Sequence, residues 1–150
     1  MIPLTVVIPV KNEEINLPRC FKALDSFSHV LVADSDSTDL TPQIARDAGA
    51  EIINFQWNGQ FPKKRNWILQ NYNFTTDWVL FLDADEIVSD EFKKEVESAI
   101  QVPEVNGYWL TFHNYFQGKL LKYGIPFRKL ALFRIGKGEY ERIDENRWST

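Results

Sequence analysis

This chain is short of the residues that staple or metallate small proteins. Its single cysteine, Cys20, excludes an internal disulfide and fits a reducing compartment. Cys20 falls in a stretch of helical periodicity, where a small buried hydrophobe is the ordinary role and a nucleophile the rarer one. The two histidines, His29 and His113, lie far apart in predicted strands and read as structural or surface residues; with Cys20 they are too few for a zinc site. No apolar run approaches the roughly 18 residues that cross a bilayer. Met1-Ile2-Pro3-Leu4 lacks the basic start of a secretory signal, so the expected location is the cytoplasm. Three signatures are also missing. The absence of Gly-x-x-x-x-Gly-Lys-Ser/Thr excludes a P-loop. Without Gly-x-Gly-x-x-Gly after the first strand a dinucleotide fold is not expected, and no Gly-x-Ser-x-Gly marks a nucleophile elbow. Spacing and sheet context give no reason to invoke nucleic acid.

The remaining composition suits one globular domain over residues 1–150: 44% hydrophobic residues are enough to bury a core, and the net charge is −4. The charge is uneven. Residues 117–150 carry eight Lys/Arg against four Asp/Glu, and residues 1–116 carry nine against seventeen. The basic end is also aromatic, with Tyr123, Phe127, Phe133, Tyr140 and Trp148. A solvated surface over core aromatics is its plain reading. Peripheral contact with the anionic inner face of a membrane, or with a phosphorylated substrate, is the functional one.

Hydrophobic patterning alternates strands with helices. Leu4–Val10 reads as a first strand, with Asn12 as a helix-cap candidate before a helical stripe of Ile15, Leu17, Phe21, Leu24 and Phe27. His29–Ala33 reads as a second strand ending at Asp34. Thr41-Pro42 reads as cap and first turn of a helix that Gly49 closes. Ala50–Phe55 gives a third strand, a loop with Asn58-Gly59 follows, and a helix is expected over about 62–71. The fourth strand ends at Leu82, and Asp90 is the cap candidate of a helix running to about Ile100. This alternation predicts an α/β fold, a mostly parallel sheet flanked by helices. After Pro103 the β-branched and aromatic stretches Gly107–Phe116 and Lys119–Ile135, with turns at Gln117-Gly118 and Gly136-Lys137-Gly138, predict an antiparallel β-extension. The chain thus divides into a part at about 1–102 that carries most of the chemistry and a β-rich part at about 103–150.

The chemistry gathers at the strand ends. Trp78-Val79-Leu80-Phe81-Leu82 delivers Asp83, Asp85 and Glu86 to the carboxyl edge of a buried strand, where open α/β sheets bind ligands. Carboxylates so placed repel one another unless a cation sits among them, and a hard divalent metal is the natural occupant. The first strand ends in Pro9-Val10-Lys11-Asn12-Glu13-Glu14 and the second in Asp34-Ser35-Asp36-Ser37-Thr38-Asp39. The third leads to Lys63-Lys64-Arg65. Taken singly, Asp34 reads as a helix cap and the basic run as a solvated face. Taken together they form a crevice of acceptors, cations and a metal site that suits a nucleoside diphosphate.

In order and spacing these motifs resemble the family 2 glycosyltransferases of the GT-A fold, in the style of bacterial enzymes that build lipopolysaccharide core or other surface glycans. The resemblance covers roughly residues 4–135. It implies a nucleotide-diphospho-sugar donor, a UDP-sugar first, and Mg²⁺ or Mn²⁺. It also implies a glycan or lipid-linked acceptor and inverting transfer in a single displacement. Pro9, Asn12 and Glu13 match the loop that contacts the nucleoside, and Asp34 matches the acidic residue that pairs with the base. Arg65, with Lys64, matches the basic position near the nucleotide. Asp83 matches the position near ribose and metal, and Asp85 the ligand of the metal that bridges the diphosphate.

The chain also departs from the pattern. Asp36 and Leu40 stand where the family often has glycine, which predicts a differently shaped turn. Family members usually continue well past this length. Where a His-Glu pair is common in similar enzymes, the chain has Asp144-Glu145, which leaves Glu145 as the candidate base. Two other readings compete. One is a truncated or non-catalytic donor-binding domain. The other is a phosphatase of the haloacid dehalogenase type, faintly suggested by Asp83-Ala84-Asp85-Glu86, although that motif usually opens its fold rather than following three strand units.

Overall fold

The computed structural model describes residues 1–55, 64–112, 115–116, 119–120 and 127–135. Twelve elements follow in order: β1 (Ile2–Val10), α1 (Leu17–Lys22), β2 (Phe27–Asp34), α2 (Thr41–Asp47), β3 (Glu51–Asn54), α3 (Lys64–Asn71), β4 (Trp78–Phe81), α4 (Asp90–Ala99), β5 (Gly107–Phe112), β6 (Tyr115–Phe116), β7 (Lys119–Leu120) and β8 (Phe127–Arg134). A six-stranded sheet has the order β3-β2-β1-β4-β8-β5, and β6 and β7 form a separate antiparallel pair. Strands β1 to β4 are mutually parallel, whereas β8 runs antiparallel to both β4 and β5. The fold is the mostly parallel α/β sheet that the patterning predicts.

β1 and β4 read as unbroken apolar runs because both faces of each strand are covered. Leu4, Val6, Val7, Ile8, Val79, Leu80 and Phe81 are fully buried. Each such side chain contributes about 1.5–3 kcal/mol relative to exposure. Thr5 is the polar exception on β1, and its hydroxyl is paired with that of Thr76 at 2.7 Å. The later strands join the same core. Phe133 on β8 stacks on Phe81 with centroids 5.8 Å apart, and Tyr108 on β5 stacks on Trp78 at 5.9 Å. The Arg134 guanidinium lies 4.7 Å from the Trp78 ring centroid.

Strand order sets the position of the site. From β1 the chain steps outward through β2 to β3, then crosses back to lay β4 on the other side of β1. The reversal leaves a crevice between the carboxyl ends of β1 and β4, where such sheets bind ligands. Pairing between the two stops at Val7 and Phe81, and Leu82 N–H adds one more bond to the Val7 carbonyl at 2.9 Å. Pro9 lies beyond that point, where its missing N–H costs no ladder bond toward β4.

Several predicted boundaries move, each for a physical reason. Asn12 is not a helix cap. Its φ of +53° is left-handed and turns the chain away, so α1 begins only at Leu17, ahead of Pro18. Ile15 is consequently 87% exposed, and Phe27 opens β2 instead of ending the helix. Thr41 is the first residue of α2, and its hydroxyl oxygen accepts the Glu13 N–H of another loop instead of capping. Ser89, not Asp90, caps α4, accepting the Phe92 N–H at 3.1 Å. Gly49 follows α2 with φ +82°, the conformation that favours glycine there. The antiparallel extension adds to the β4 edge of the parallel strands as predicted, with β8 rather than β5 next to β4. The Asn58-Gly59, Gln117-Gly118 and Gly136-Lys137-Gly138 turns and His113 lie outside the described residues.

Candidate functional site

The loops leaving β1 and β2 are bound to each other by their own polar atoms. Asn12 N–H donates to Ser37 Oγ at 2.9 Å, and Glu13 N–H donates to Thr41 Oγ1 at 2.8 Å. Thr38 N–H returns a bond to Asn12 Oδ1 at 2.8 Å. Glu14 N–H donates to Asp39 Oδ2 and Leu40 N–H to Glu14 Oε2, both at 3.3 Å. Ser35 N–H reaches the Val10 carbonyl at 3.0 Å, so the two strands stay zipped to their tips.

Asp34 ends β2 and is 4% exposed. Its carboxylate accepts from the Ser37 hydroxyl and from Ser37 N–H, the latter at 3.3 Å. Its backbone carbonyl accepts Phe55 N–H at 2.8 Å, which ties the exit of β3 to the same point. Asp34 therefore closes its own turn instead of capping a helix. Two accepted bonds leave lone pairs on a carboxylate that can take about four. The turn holds the two positions where glycine is expected from the resemblance. Asp36 adopts φ +52°, the left-handed region open to glycine, and aspartate is among the few residues that tolerate it. Leu40 has φ −83° and needs no glycine at all.

Across the switch point, β4 ends and the exposed side chains of Asp83 and Asp85 flank buried Ala84. Asp83 N–H donates to Glu86 Oε1 at 2.7 Å, and Glu86 N–H donates to the Asp83 carbonyl at 2.9 Å, which fixes a tight acidic turn. Electrostatics link this turn to β1. Partial burial pushes the Glu13 carboxyl above its usual value and a hydrogen bond from Asn16 pulls it down, while the charges of Asp85, Asp83 and Asp39 push it up again. Cys20 lies buried below. Desolvation, with the fields of Glu86, Asp85, Asp83 and Glu13, pushes its thiol up to about 12, so it is an inert core residue as its sequence context predicts. Asp39 behaves oppositely. Slight desolvation raises its carboxyl, but bonds from the Thr41 hydroxyl, Thr41 N–H and Glu14 N–H outweigh this and hold it below the usual carboxylate range.

The structure thus brings Pro9, Asn12, Glu13 and Asp34 to one edge, with Asp83 and Asp85 beside Glu13. Lys64 and Arg65 fall in the first turn of α3, after the third strand, and their side chains are outside the described part. Glu145 also lies outside the described residues. Among the described residues no group of three His, Cys, Asp or Glu side chains is placed to hold a metal by itself. The pair Asp83 and Asp85 fits Mg²⁺ chemistry nonetheless, because that ion commonly takes one or two carboxylates and completes its shell with substrate phosphate oxygens and water. A cleft of about 480 Å³ lined by Leu24, Phe27, His29, Gly49 and Glu51 sits at the opposite edge of the sheet and includes none of these residues. Sequence reasoning missed Ser37, Thr41 and Asp39 as parts of the site, although Ser37 and Asp39 stand inside the motif that begins at Asp34.

The sequence profile of the family described as Glycosyl transferase family 2 matches residues 5–148. The chain belongs to that family. An uncharacterized glycosyltransferase of Rickettsia prowazekii is 32% identical over 132 residues, 87% of this chain and 39% of that protein. TarS of Staphylococcus aureus, residues 1–349 solved with UDP, superposes with a TM-score of 0.58 at 25% identity over 83% of this chain and 38% of that one. Glucosyl-3-phosphoglycerate synthase of Mycobacterium tuberculosis, solved with Mg²⁺ and UDP, shares the fold with a TM-score of 0.55 at 23% identity over 69% of this chain and 41% of that one. The sheet is therefore of the GT-A type, and a phosphatase of the haloacid dehalogenase type is not what Asp83 and Asp85 belong to. The chain spans about a third of the length of the curated relatives it matches.

Proposed function

We propose that this chain forms the donor side of an inverting glycosyltransferase that takes its sugar from a nucleotide diphosphate, a UDP-sugar first. The observation that carries the reading is the meeting, at the switch point between β1 and β4, of a hydrogen-bonded pair of loops bearing Asn12, Glu13 and Asp34 with the acidic turn of Asp83 and Asp85. Asp34 would accept a base N–H through its remaining lone pairs. Asn12, Glu13 and Pro9 would line the nucleoside, and Arg65 with Lys64 would meet the phosphates from the start of α3. Asp83 and Asp85 would hold Mg²⁺ or Mn²⁺ together with the diphosphate. When bound there, the ion would offset the negative charge that builds on the departing diphosphate. Glu145 is the residue assigned to take the proton of the attacking acceptor hydroxyl. The acceptor would be a glycan or a lipid-linked glycan of the cell envelope, in lipopolysaccharide or other surface polysaccharide synthesis. The basic stretch 117–150 would bring the enzyme to the inner membrane face from the cytoplasm.

A second reading has its own support. In it the chain is a nucleotide-sugar-binding domain that would hold the donor without itself completing transfer, and the described site, which gathers Asn12, Glu13, Asp34, Asp83 and Asp85, would be a donor-binding one. Both readings share one test: thermal stability measured with UDP, GDP and CDP, each with and without Mn²⁺. A ligand at about 100 times its dissociation constant adds roughly 2.7 kcal/mol. A metal-dependent rise with UDP is expected. No rise with any nucleotide would remove the donor site from this chain. Transfer to an acceptor, measured as UDP release, then separates enzyme from binding domain.

A further inference from the structure

Two hydroxyl groups occupy equivalent positions in the loop pair. Ser37 Oγ accepts the Asn12 N–H at 2.9 Å and donates to the Asp34 carboxylate. Thr41 Oγ1 accepts the Glu13 N–H at 2.8 Å, and the Thr41 backbone N–H donates to the Asp39 carboxylate at 2.9 Å. Each of the two residues therefore joins an amide of the first loop to a carboxylate of the second, Ser37 through its hydroxyl alone and Thr41 through its hydroxyl and its N–H. Thr41 is fully buried, so water cannot replace it, and Asp39 is anchored in turn by the N–H groups of Thr41 at 2.9 Å and Glu14 at 3.3 Å. Two left-handed residues, Asn12 at φ +53° and Asp36 at φ +52°, lie in the bridged segments. Asparagine and aspartate tolerate this backbone better than other non-glycine residues, and the bridges hold both segments in it.

The geometry points to Ser37 and Thr41 as positioning residues of the donor site, which set Asn12, Glu13 and Asp34 against one nucleoside without touching it. The inference rests on the donor-site reading and adds how that site is held. Its consequence is selectivity of damage. The acidic turn of Asp83 and Asp85 is bonded to Glu86, whereas the hydrogen bonds of the Ser37 and Thr41 hydroxyls described among these residues go to Asn12, Asp34 and Glu13. Loss of a hydroxyl should therefore weaken recognition of the nucleoside and leave the diphosphate–metal end intact.

The experiment uses two probes on the same chain: UMP without metal for the nucleoside end, and inorganic pyrophosphate with Mn²⁺ for the acidic end. Ser37→Ala and Thr41→Val should each bind UMP about tenfold more weakly, the loss of one hydrogen-bonded anchor. Their affinity for pyrophosphate with Mn²⁺ should equal that of the parent chain. Thr41→Ser, which keeps the hydroxyl, should restore UMP binding. Ser37 is only half-buried, so Ser37→Ala reports on the inference even if Thr41→Val does not fold, as judged by circular dichroism. Unchanged UMP affinity in folded Ser37→Ala, or an equal loss of pyrophosphate affinity, overturns the positioning role. A parent chain that binds pyrophosphate but no nucleotide overturns the donor-site reading itself.

Discussion

The two sides of the switch point are built by opposite means. The β1 and β2 exits are held by bonds that exist before any ligand arrives: amides, hydroxyls and carboxylates are matched across the loops, and Asp34 and Thr41 are buried within that network. The β4 exit gathers Asp83 and Asp85 in the open, near Glu13, whose carboxyl is raised by burial first and also by their charges. The first arrangement suits a neutral, shape-defined ligand such as a nucleoside, since preorganised groups lose little freedom on binding. On the proposed reading, the second would take a cation and a diphosphate together. One site can therefore separate recognition of the base from capture of the phosphates.

The largest expected effect follows from removing one charge of the open side. Asp85→Asn should lower Mn²⁺-dependent UDP affinity about a hundredfold, in line with loss of a charged partner, and should leave thermal stability near that of the parent chain because Asp85 is exposed. Calorimetric titration with UDP and Mn²⁺ measures it, and an unchanged affinity would remove Asp85 from the metal site. A smaller loss, on the order of tenfold, is expected for Asp34→Ala, and it should be the same with and without metal. If the loss appears only with metal present, the two sides are not independent and Asp34 does not read the base. Asp34→Ala should also lower stability by about 1 kcal/mol, because Ser37 loses the acceptor of two hydrogen bonds.

Much of this contrast was legible in the chain. The apolar run from Trp78 to Leu82 must be buried on both faces, so its acidic continuation must emerge at a sheet edge. Alternation of strands and helices then places the other motifs on that edge. The order of the strands is a different matter. Nothing local in β8 says that it slides between β4 and β5, because that choice is made by Phe133 packing on Phe81 and by Arg134 covering Trp78, contacts between residues far apart in sequence. Caps were misplaced for a related reason. Asn12 and Thr41 have the right chemistry to cap, yet each spends its polar atoms on the opposite loop, a partner about 26 or more residues away that periodicity cannot reveal. The positioning hydroxyls escaped notice because serine and threonine in a turn ordinarily serve the turn alone.

The smallest expected effect tests whether the two sides meet at Glu13. Its carboxyl titrates above the usual value in the folded chain, first through burial and then, against the pull of Asn16, through the charges of Asp85, Asp83 and Asp39. In the unfolded chain it returns to the ordinary carboxylate value of about 4.5. The folded state therefore binds this proton more tightly, and stability contributed by the protonated form falls as pH rises from the unfolded value through the raised folded one. Glu13→Gln removes the charge and keeps an oxygen that can accept from Asn16. Below the window the two proteins should be equally stable as far as this group is concerned; above it the glutamine variant should be the more stable. Denaturant midpoints measured from about pH 4 to about pH 8 give the difference. Adding Mn²⁺ with UDP should shrink it, because a cation between the carboxylates relieves the repulsion that the substitution removes. Parallel pH curves for parent and variant would mean that burial and the charges of the acidic turn together leave no net shift on Glu13 against the pull of Asn16, whereas a difference that Mn²⁺ with UDP does not shrink would trace the shift to burial alone.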